Sequence, residues 1–292
     1  MNKADIYMKE TIEKILTDGY LDVNPRPKYA DGTPAHTLSI NHVFRTYDLS
    51  KGEFPITSLR PIAWKSAIKE VLWIYQDQSN DLNLLREKYN VQYWNEWESK
   101  DIPNTIGKRY GYIVKKYDLM NKLLDGLMND PYGRRHIIDL YQYQELEETD
   151  GLYPCAFLTI WNVRNDENGI EYLDMTLIQR SGDLIAASCS GVNETQYAAL
   201  MMMVARHCGY EVGVFSHFVQ NEQVYSRHED VALELKDRFY ELERHEYFGT
   251  CLLNPNLILN PNKTNFYDFT IDDFTMKNYE PIKPQIKFEL GI

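Results

Sequence analysis

The first suggestion of chemistry comes from a cysteine and an arginine in two neighbouring strand-like segments. Cys155 follows a proline in "YPCAFLTIWNV" (153–163), where Tyr153, Cys155, Phe157, Thr159, Trp161 and Val163 fall on one face. Arg180 lies in "YLDMTLIQRSGD" (172–183), which alternates as well. The intervening "NDENG" (165–169) is a turn signal. Folding the two segments about it, with Arg164 paired to Glu171, sets a constant index sum that brings Cys155 opposite Arg180. A slip of one residue would move the partner to the other face. A free thiol titrates near ~8.5, and a guanidinium that lowered this by ~1–2 units would raise the thiolate fraction about tenfold or more. Gln179, Ser181 and Asp183 add polar groups beside the arginine. The plainer alternatives are a cysteine filling the core as a small hydrophobe and an arginine on the surface of an edge strand.

Four further groups could serve such a thiol. "DPYGRRHII" holds the only adjacent arginine pair, Arg134 and Arg135, after a Pro/Gly turn. Two planar forks of donors suit a phosphate dianion, although a solvated loop has the same composition. Glu70 lies in "AIKEVLW" with Ala67 and Ile74 as helical neighbours, which places a carboxylate at the edge of an apolar face. It is either a boundary glutamate or an acid whose pKa burial raises. Asn193, at the start of "NETQYAALMMMVARHCGY" (193–210), is either a helix N-cap or an amide presenting a donor and an acceptor to a heterocycle. Tyr93, Trp94 and Trp97 in "VQYWNEW" are core residues or a platform for a flat ligand.

The elements that must position these groups are legible in outline. Residues 3–18 read as a helix, 37–47 as extended, and a helix with Pro61 at its first position runs through Lys65, Lys69 and Glu70. Residues 116–129 read as one amphipathic helix and 193–210 as an apolar, central one stopped by Gly209. Extended or loop segments lead to a charged helix at 229–245, and the tail "QIKFELGI" alternates. Neither repeats nor a low-complexity linker divide the chain, so residues 1–292 are expected to form one domain.

A net charge of −12 argues against a general nucleic-acid binder and requires any anion to be met by local arginines. The four cysteines, Cys155, Cys189, Cys208 and Cys251, form no CxxC pair, which disfavours zinc and dithiol chemistry; no metal is expected. The N-terminal segment lacks the apolar stretch of a signal peptide, and "YAALMMMVA" is too short to span a bilayer. A cytoplasmic protein with reduced thiols, away from membranes and DNA, is the expectation.

Taken together, "AIKEVLW", "YWNEW", "DPYGRRHI", "YPC", "QRSGD", "VNETQYAALMMMVA" and "VYSRH" resemble, in the same order, the thymidylate synthase family. The resemblance runs from "DGTPAHTLSI" to the closing "FELGI". It implies an α+β fold in which a large twisted mixed sheet is flanked by helices and two subunits pack sheet to sheet as a homodimer. It also implies reductive methylation of dUMP to dTMP, with 5,10-methylenetetrahydrofolate as one-carbon and hydride donor and dihydrofolate as second product. By the same resemblance Cys155 would add to C6 of the pyrimidine, and Arg180 would bind the phosphate and hold the thiolate. Gln179 and Ser181 would help with the phosphate and the strand's polar network, while Arg134 and Arg135 would reach the phosphate of the partner subunit's site. Glu70 would be the general acid/base, and Asn193 would read uracil O4 and N3. Tyr225 would bind the deoxyribose hydroxyl, with Gln223 beside it. Asp183 would meet the pterin, Trp94 and Trp97 would line the folate side, and Gly291 and Ile292 would close as a lid.

The chain departs from the family pattern at several points. "LIAASCSGV" (184–192) is longer than the common form, Gln223 and Ala156 stand where many members have histidine, and either Arg26 or Lys28 could be the helper cation of the N-terminal loop. The Gln223 amide can still donate to a hydroxyl, so reduced rather than lost function is expected from it. A pyrimidine-nucleotide hydroxymethylase is the nearest rival; Asn193 disfavours cytosine and Trp94 favours a dry, reductive site. A cysteine hydrolase would need a histidine poised on Cys155, and a silent nucleotide-binding relative would not need Cys155, Glu70 and Arg180 together.

Overall fold

The computed structural model describes residues 2–247, 254–289 and 291. In chain order its helices are α1 (Lys3–Asp18), α2 (Trp64–Val71), α3 (Leu82–Tyr89), α4 (Gly111–Lys116), α5 (Leu119–Asn129), α6 (Tyr143–Glu148), α7 (Val192–Cys208) and α8 (Glu229–Tyr247). Its strands are β1 (Tyr20–Leu21), β2 (Thr37–Asp48), β3 (Ile137–Asp139), β4 (Ala156–Asn165), β5 (Glu171–Gln179), β6 (Gly182–Asp183), β7 (Glu211–Tyr225), β8 (Asn256–Leu259) and β9 (Phe274–Lys277). The first seven strands form one mixed sheet in the order β1-β2-β7-β5-β4-β3, with β6 also paired to β7. The parallel β5–β7 pair needs a crossover, and α7 supplies it. A small antiparallel pair, β8 with β9, lies apart from this sheet.

Alternation decides which side of the sheet is covered. Thr159, Trp161 and Val163 of β4, Leu173, Met175 and Leu177 of β5, and Phe215 and Val219 of β7 point to one face and are buried. Much of that face packs against α7, α2 packs against α7 in turn, and α7 is buried at every residue from Glu194 to Met201. An all-round apolar helix of this kind belongs in a core. Truncating Trp161 or Phe215 to alanine is expected to cost about 3–5 kcal/mol. The helices α1 and α8 close a second core over Ile40 and Val224.

The opposite face carries a row formed by Phe44, Phe218, Ile178 and Leu158 on adjacent strands. Beside it, Ile160 pairs with Ile137. Phe44 is 56% exposed, Ile137 45% and Ile160 38%.

Four local expectations need correction. The second helix begins at Trp64 and not at Pro61, because the Trp64 N–H donates to the Ile62 carbonyl at 2.8 Å in a tight turn and Ala63 (ψ 58°) is not helical. The helix expected over 116–129 starts at Leu119: Lys116 ends α4, and a left-handed Asp118 (φ 52°) separates it from α5, which lets Ile113 and Val114 of one and Met120, Leu123 and Leu127 of the other all reach the core. Asn193 is not the N-cap of α7, since Gly191 occupies that position and Asn193 is the second helical residue. The alternating tail takes up no sheet partner among the described residues; Ile286 is buried and Phe288 packs on His228 instead.

Candidate active site

Most of the groups singled out above converge at one end of the sheet, and the Arg134–Arg135 pair does not. Cys155 precedes β4 and Arg180 follows β5. Their meeting depends on a bulge. Arg164 pairs with Tyr172 rather than Glu171, one residue off the expected register, and the register shifts back between Leu158 and Ala156. The Arg180 N–H therefore donates to the Cys155 carbonyl at 2.9 Å. The same bulge breaks the expected face, leaving Phe157 off the buried row of Thr159, Trp161 and Val163.

The Arg180 guanidinium is fixed by the Pro154 carbonyl (Nε, 2.9 Å) and the Tyr153 carbonyl (Nη2, 2.8 Å), and Nη2 lies 3.5 Å from Cys155 Sγ. Burial pushes the thiol pKa up, while Arg180 and then Arg26 pull it down; the net direction is up. This corrects the expectation that the arginine alone would leave the thiol with a depressed pKa. The Arg26 charge, the second to act on Cys155, also acts on Tyr225.

Glu70 sits in the last turn of α2 and is 6% exposed. Its carboxyl is raised to about 7 by burial, against the opposing pull of the Tyr93 hydroxyl, the Trp94 indole and the Gln196 amide. Tyr93 donates directly to Glu70 Oε2. Tyr110, which sequence reasoning missed, relates this acid to the nucleophile: its hydroxyl accepts from the Cys155 N–H at 3.3 Å and it also feels the Glu70 charge. Its ring packs edge-on against Trp94 at 5.3 Å, and Trp94 meets Trp97 at 5.6 Å. A tyrosine in "GKRYGY" carries no local signal for this position. A thiol beside a guanidinium, with a near-neutral acid across an aromatic wall, can perform covalent addition coupled to proton transfer.

Asn193 stands between two amides. Gln179 Nε2 donates to its Oδ1 at 3.3 Å, and its Nδ2 donates to Gln196 Oε1 at 3.1 Å. Gln179 Nε2 also donates to the Ser181 carbonyl at 2.8 Å.

A family model described as thymidylate synthase matches residues 6–292. Thymidylate synthases of Streptococcus pneumoniae (strain 70585) and Streptococcus gordonii are each 52% identical to the chain over 293 residues, covering all of both sequences. The solved structure of thermostable thymidylate synthase A from Bacillus subtilis superposes with a TM-score of 0.84 at 35% identity, covering 99% of each chain. The chain belongs to the thymidylate synthase family.

The remaining site residues can be placed within this thymidylate synthase fold. The Asp183 carboxylate accepts from the Ile185 and Ala186 N–H groups at 3.0 Å and so caps the turn Leu184–Ser188; burial raises its pKa. The 184–192 segment is folded inward, with Leu184, Ile185, Ser188, Cys189 and Ser190 all buried. Gln223 pairs with Asp183 across β6 and β7 and is half-buried. The Tyr225 ring meets Tyr29 and His228 edge-on, and its hydroxyl feels the charges of Asp183 and Cys155. Gly291 lies on that ring: a Cβ added there would come within 2.7 Å of Tyr225 Cε1. Ile292 lies outside the described residues. The tail is tied down by Glu289, which accepts from the Ala30 N–H (3.1 Å) and Arg227 Nη1 (2.7 Å).

Arg134 and Arg135 are exposed in the turn before β3 and lie far from their own Cys155. His136 is level with Trp161, so Arg135 is level with Asn162, seven residues or about 20 Å along the sheet from Cys155.

Proposed function

We propose that this thymidylate synthase family member converts dUMP and 5,10-methylenetetrahydrofolate to dTMP and dihydrofolate, with Cys155 adding to pyrimidine C6. The observation that carries the reading is the pairing of Cys155 and Arg180 with Glu70 across Tyr110. Arg180, with Arg26 and Ser181, would hold the phosphate, and anion binding would bring negative charge to the guanidinium beside the thiol. Glu70, with a carboxyl near neutrality, would exchange protons with the pyrimidine carbonyl through ordered water. Asn193 would read O4 and N3, and Tyr225 with Gln223 would meet the sugar. The folate supplies the one-carbon unit and the hydride. The edge-packed Trp94 and Trp97 would shield it from water, and Asp183 would face the pterin. Gly291, Ile292 and the rest of the tail would close over both substrates.

A homodimer completes this reading. The Phe44–Phe218–Ile178–Leu158 row with Ile160 and Ile137 is a contiguous apolar patch of the sort that marks an interface. Arg134 and Arg135 are too far from their own Cys155 to serve it, so they would serve the partner's. We read residues 1–292 as one catalytic unit, supported by the family match over 6–292. The free Cys155, Cys189 and Cys208 suit a reducing, cytoplasmic location. Among the described residues no helix is long and apolar enough to cross a membrane, and no group of three or more His, Cys, Asp or Glu side chains could hold a metal.

The hydroxymethylase alternative is not favoured, because an amide rather than an acid faces the base and the Trp94 side is closed. The test is to incubate the protein with dUMP and 5,10-methylenetetrahydrofolate, follow dihydrofolate absorbance, and weigh the nucleotide product by mass spectrometry. Dihydrofolate with dTMP supports the reading. Hydroxymethyl-dUMP without dihydrofolate would replace it with the hydroxylating one.

A further inference from the structure

Behind the site lies a buried ionic cluster that the proposed chemistry does not use. Arg45, from β2, donates to Glu194 Oε1 (Nε, 2.7 Å) and Glu222 Oε2 (Nη2, 2.9 Å). His217, from β7, sets its Nδ1 2.8 Å from the same Glu194 Oε1, and all four side chains are 0–1% exposed. Tyr47 and the Ser190 N–H donate to Glu194 Oε2 at 2.8 and 2.6 Å, and Ser188 donates to Glu222 Oε1. Cys189 lies within range of the cluster's charges.

The other imidazole nitrogen points toward the site. His217 Nε2 is 3.1 Å from Gln179 Oε1, the residue whose Nε2 donates to Asn193. The orientation of the Gln179 amide is not arbitrary. Its other end meets the Ser181 carbonyl at 2.8 Å, and a carbonyl can only accept, so the nitrogen must lie there and the oxygen must face His217. Gln179 Oε1 then needs a proton on His217 Nε2. The Glu194 carboxylate at 2.8 Å needs one on Nδ1. Burial, the largest influence, and the Arg45 guanidinium, whose Nη2 lies 3.5 Å from Nδ1, push the imidazole pKa down, and Glu194 pulls it up without reversing the direction; it is the pair of hydrogen bonds, to Glu194 and to Gln179, that calls for both protons. With both nitrogens protonated, two cations (Arg45 and His217) balance two carboxylates (Glu194 and Glu222), so no net charge is buried.

We propose that His217, held doubly protonated by Glu194, is a positioning residue that joins the Ser181 carbonyl in holding the direction of the Gln179 and Asn193 amides and thereby the preference for uracil over cytosine. Every bond of the chain runs one way: His217 donates to Gln179, Gln179 to Asn193, and Asn193 to Gln196. In this direction Asn193 keeps one N–H for a carbonyl such as O4 and one oxygen lone pair for an N–H such as N3. Reversed, the same amide would suit a 4-amino group and an unprotonated N3 equally well. The inference rests on the reading that Asn193 contacts the base.

Two measurements test it. In ¹⁵N-histidine-labelled wild-type protein at neutral pH, the His217 signal, identified by its loss in His217→Gln, should show both ring nitrogens protonated. A singly protonated ring overturns the proposal. Binding of dUMP and dCMP is then compared. His217→Leu, shown to be folded by its thermal transition, should lose about tenfold of the preference for dUMP, roughly the worth of one hydrogen bond. His217→Gln, which can place an amide N–H near Nε2, should stay within about threefold of wild type. A folded leucine variant with unchanged preference overturns the relay alone, whereas wild-type protein without a dUMP preference overturns the Asn193 reading and the relay together.

Discussion

Arg180 reaches Cys155 in two ways: its backbone N–H donates to the cysteine carbonyl at 2.9 Å, and its guanidinium nitrogen stands 3.5 Å from the sulfur. The first contact closes the bulge at the start of β4, and the second sets the charge beside the thiol. Because the Tyr153 and Pro154 carbonyls hold the guanidinium, its position survives without a bound anion.

Arg180→Lys should therefore slow Cys155 more than the loss of a phosphate ligand alone would require. A lysine cannot make the planar set of bonds to both carbonyls. The alkylation pKa of Cys155 should rise by about one unit, with about tenfold slower iodoacetamide labelling at pH 8. An unchanged alkylation profile would show that the guanidinium does not tune the sulfur.

Glu70 should lower stability while serving the reaction. Its folded-state carboxyl is raised to about 7, so the folded protein holds this proton more tightly than the unfolded chain does. The stability this contributes is present at low pH and is lost as pH rises from about 4.5 through 7, by up to about 3 kcal/mol. Glu70→Gln should gain about 1–3 kcal/mol in denaturant unfolding at pH 8 and nothing near pH 4.5, while losing about a hundredfold in kcat. Equal gains at both pH values would mean that the carboxylate's burial is not the cause.

The tail should matter for the second substrate. Gly291 rests on the Tyr225 ring and beside Ala35, where a Cβ would fall at 2.7 and 3.0 Å. Gly291→Val should raise the KM for folate and lower kcat by about tenfold each, with dUMP affinity within about threefold of wild type. The same loss in dUMP binding would point to damage at Tyr225 and not to closure.

Shared sites can be tested by mixing. Cys155→Ala and Arg135→Ala proteins should each be nearly inactive, and refolding them together should restore about a quarter of wild-type activity through mixed dimers. Ile160→Glu, on the exposed face, should give monomers by sedimentation. No recovery on mixing would place Arg135 outside the site.

The parts of the site that lie close together in sequence were the legible ones. The hairpin count put Arg180 beside Cys155, yet through a register one residue off at the turn and a compensating bulge that no alternation pattern reports. The apolar helical neighbours of Glu70 put a carboxylate at the edge of a buried face and left a boundary glutamate as an open reading. Tyr110 and His217 did not, because what places them is packing between distant elements: Tyr110 follows a loop far from Cys155, and the Arg45–Glu194–His217–Glu222 cluster draws on β2, α7 and β7. Charges buried by mutual neutralisation read in sequence as ordinary polar positions in strands and helices. Pro61 misplaced a helix start because a tight turn at Ile62–Trp64 intervenes before α2, which the proline just before it does not announce.

The most direct test of the central claim is folate-dependent release of tritium from [5-³H]dUMP by wild-type protein and by Cys155→Ala. Addition of the sulfur to C6 is what makes C5 nucleophilic, so the wild type should release label only when 5,10-methylenetetrahydrofolate is present, and the alanine variant should be slower by at least about a thousandfold. Equal release by both proteins would remove Cys155 from the chemistry. No release by the wild type would contradict the proposed reaction itself.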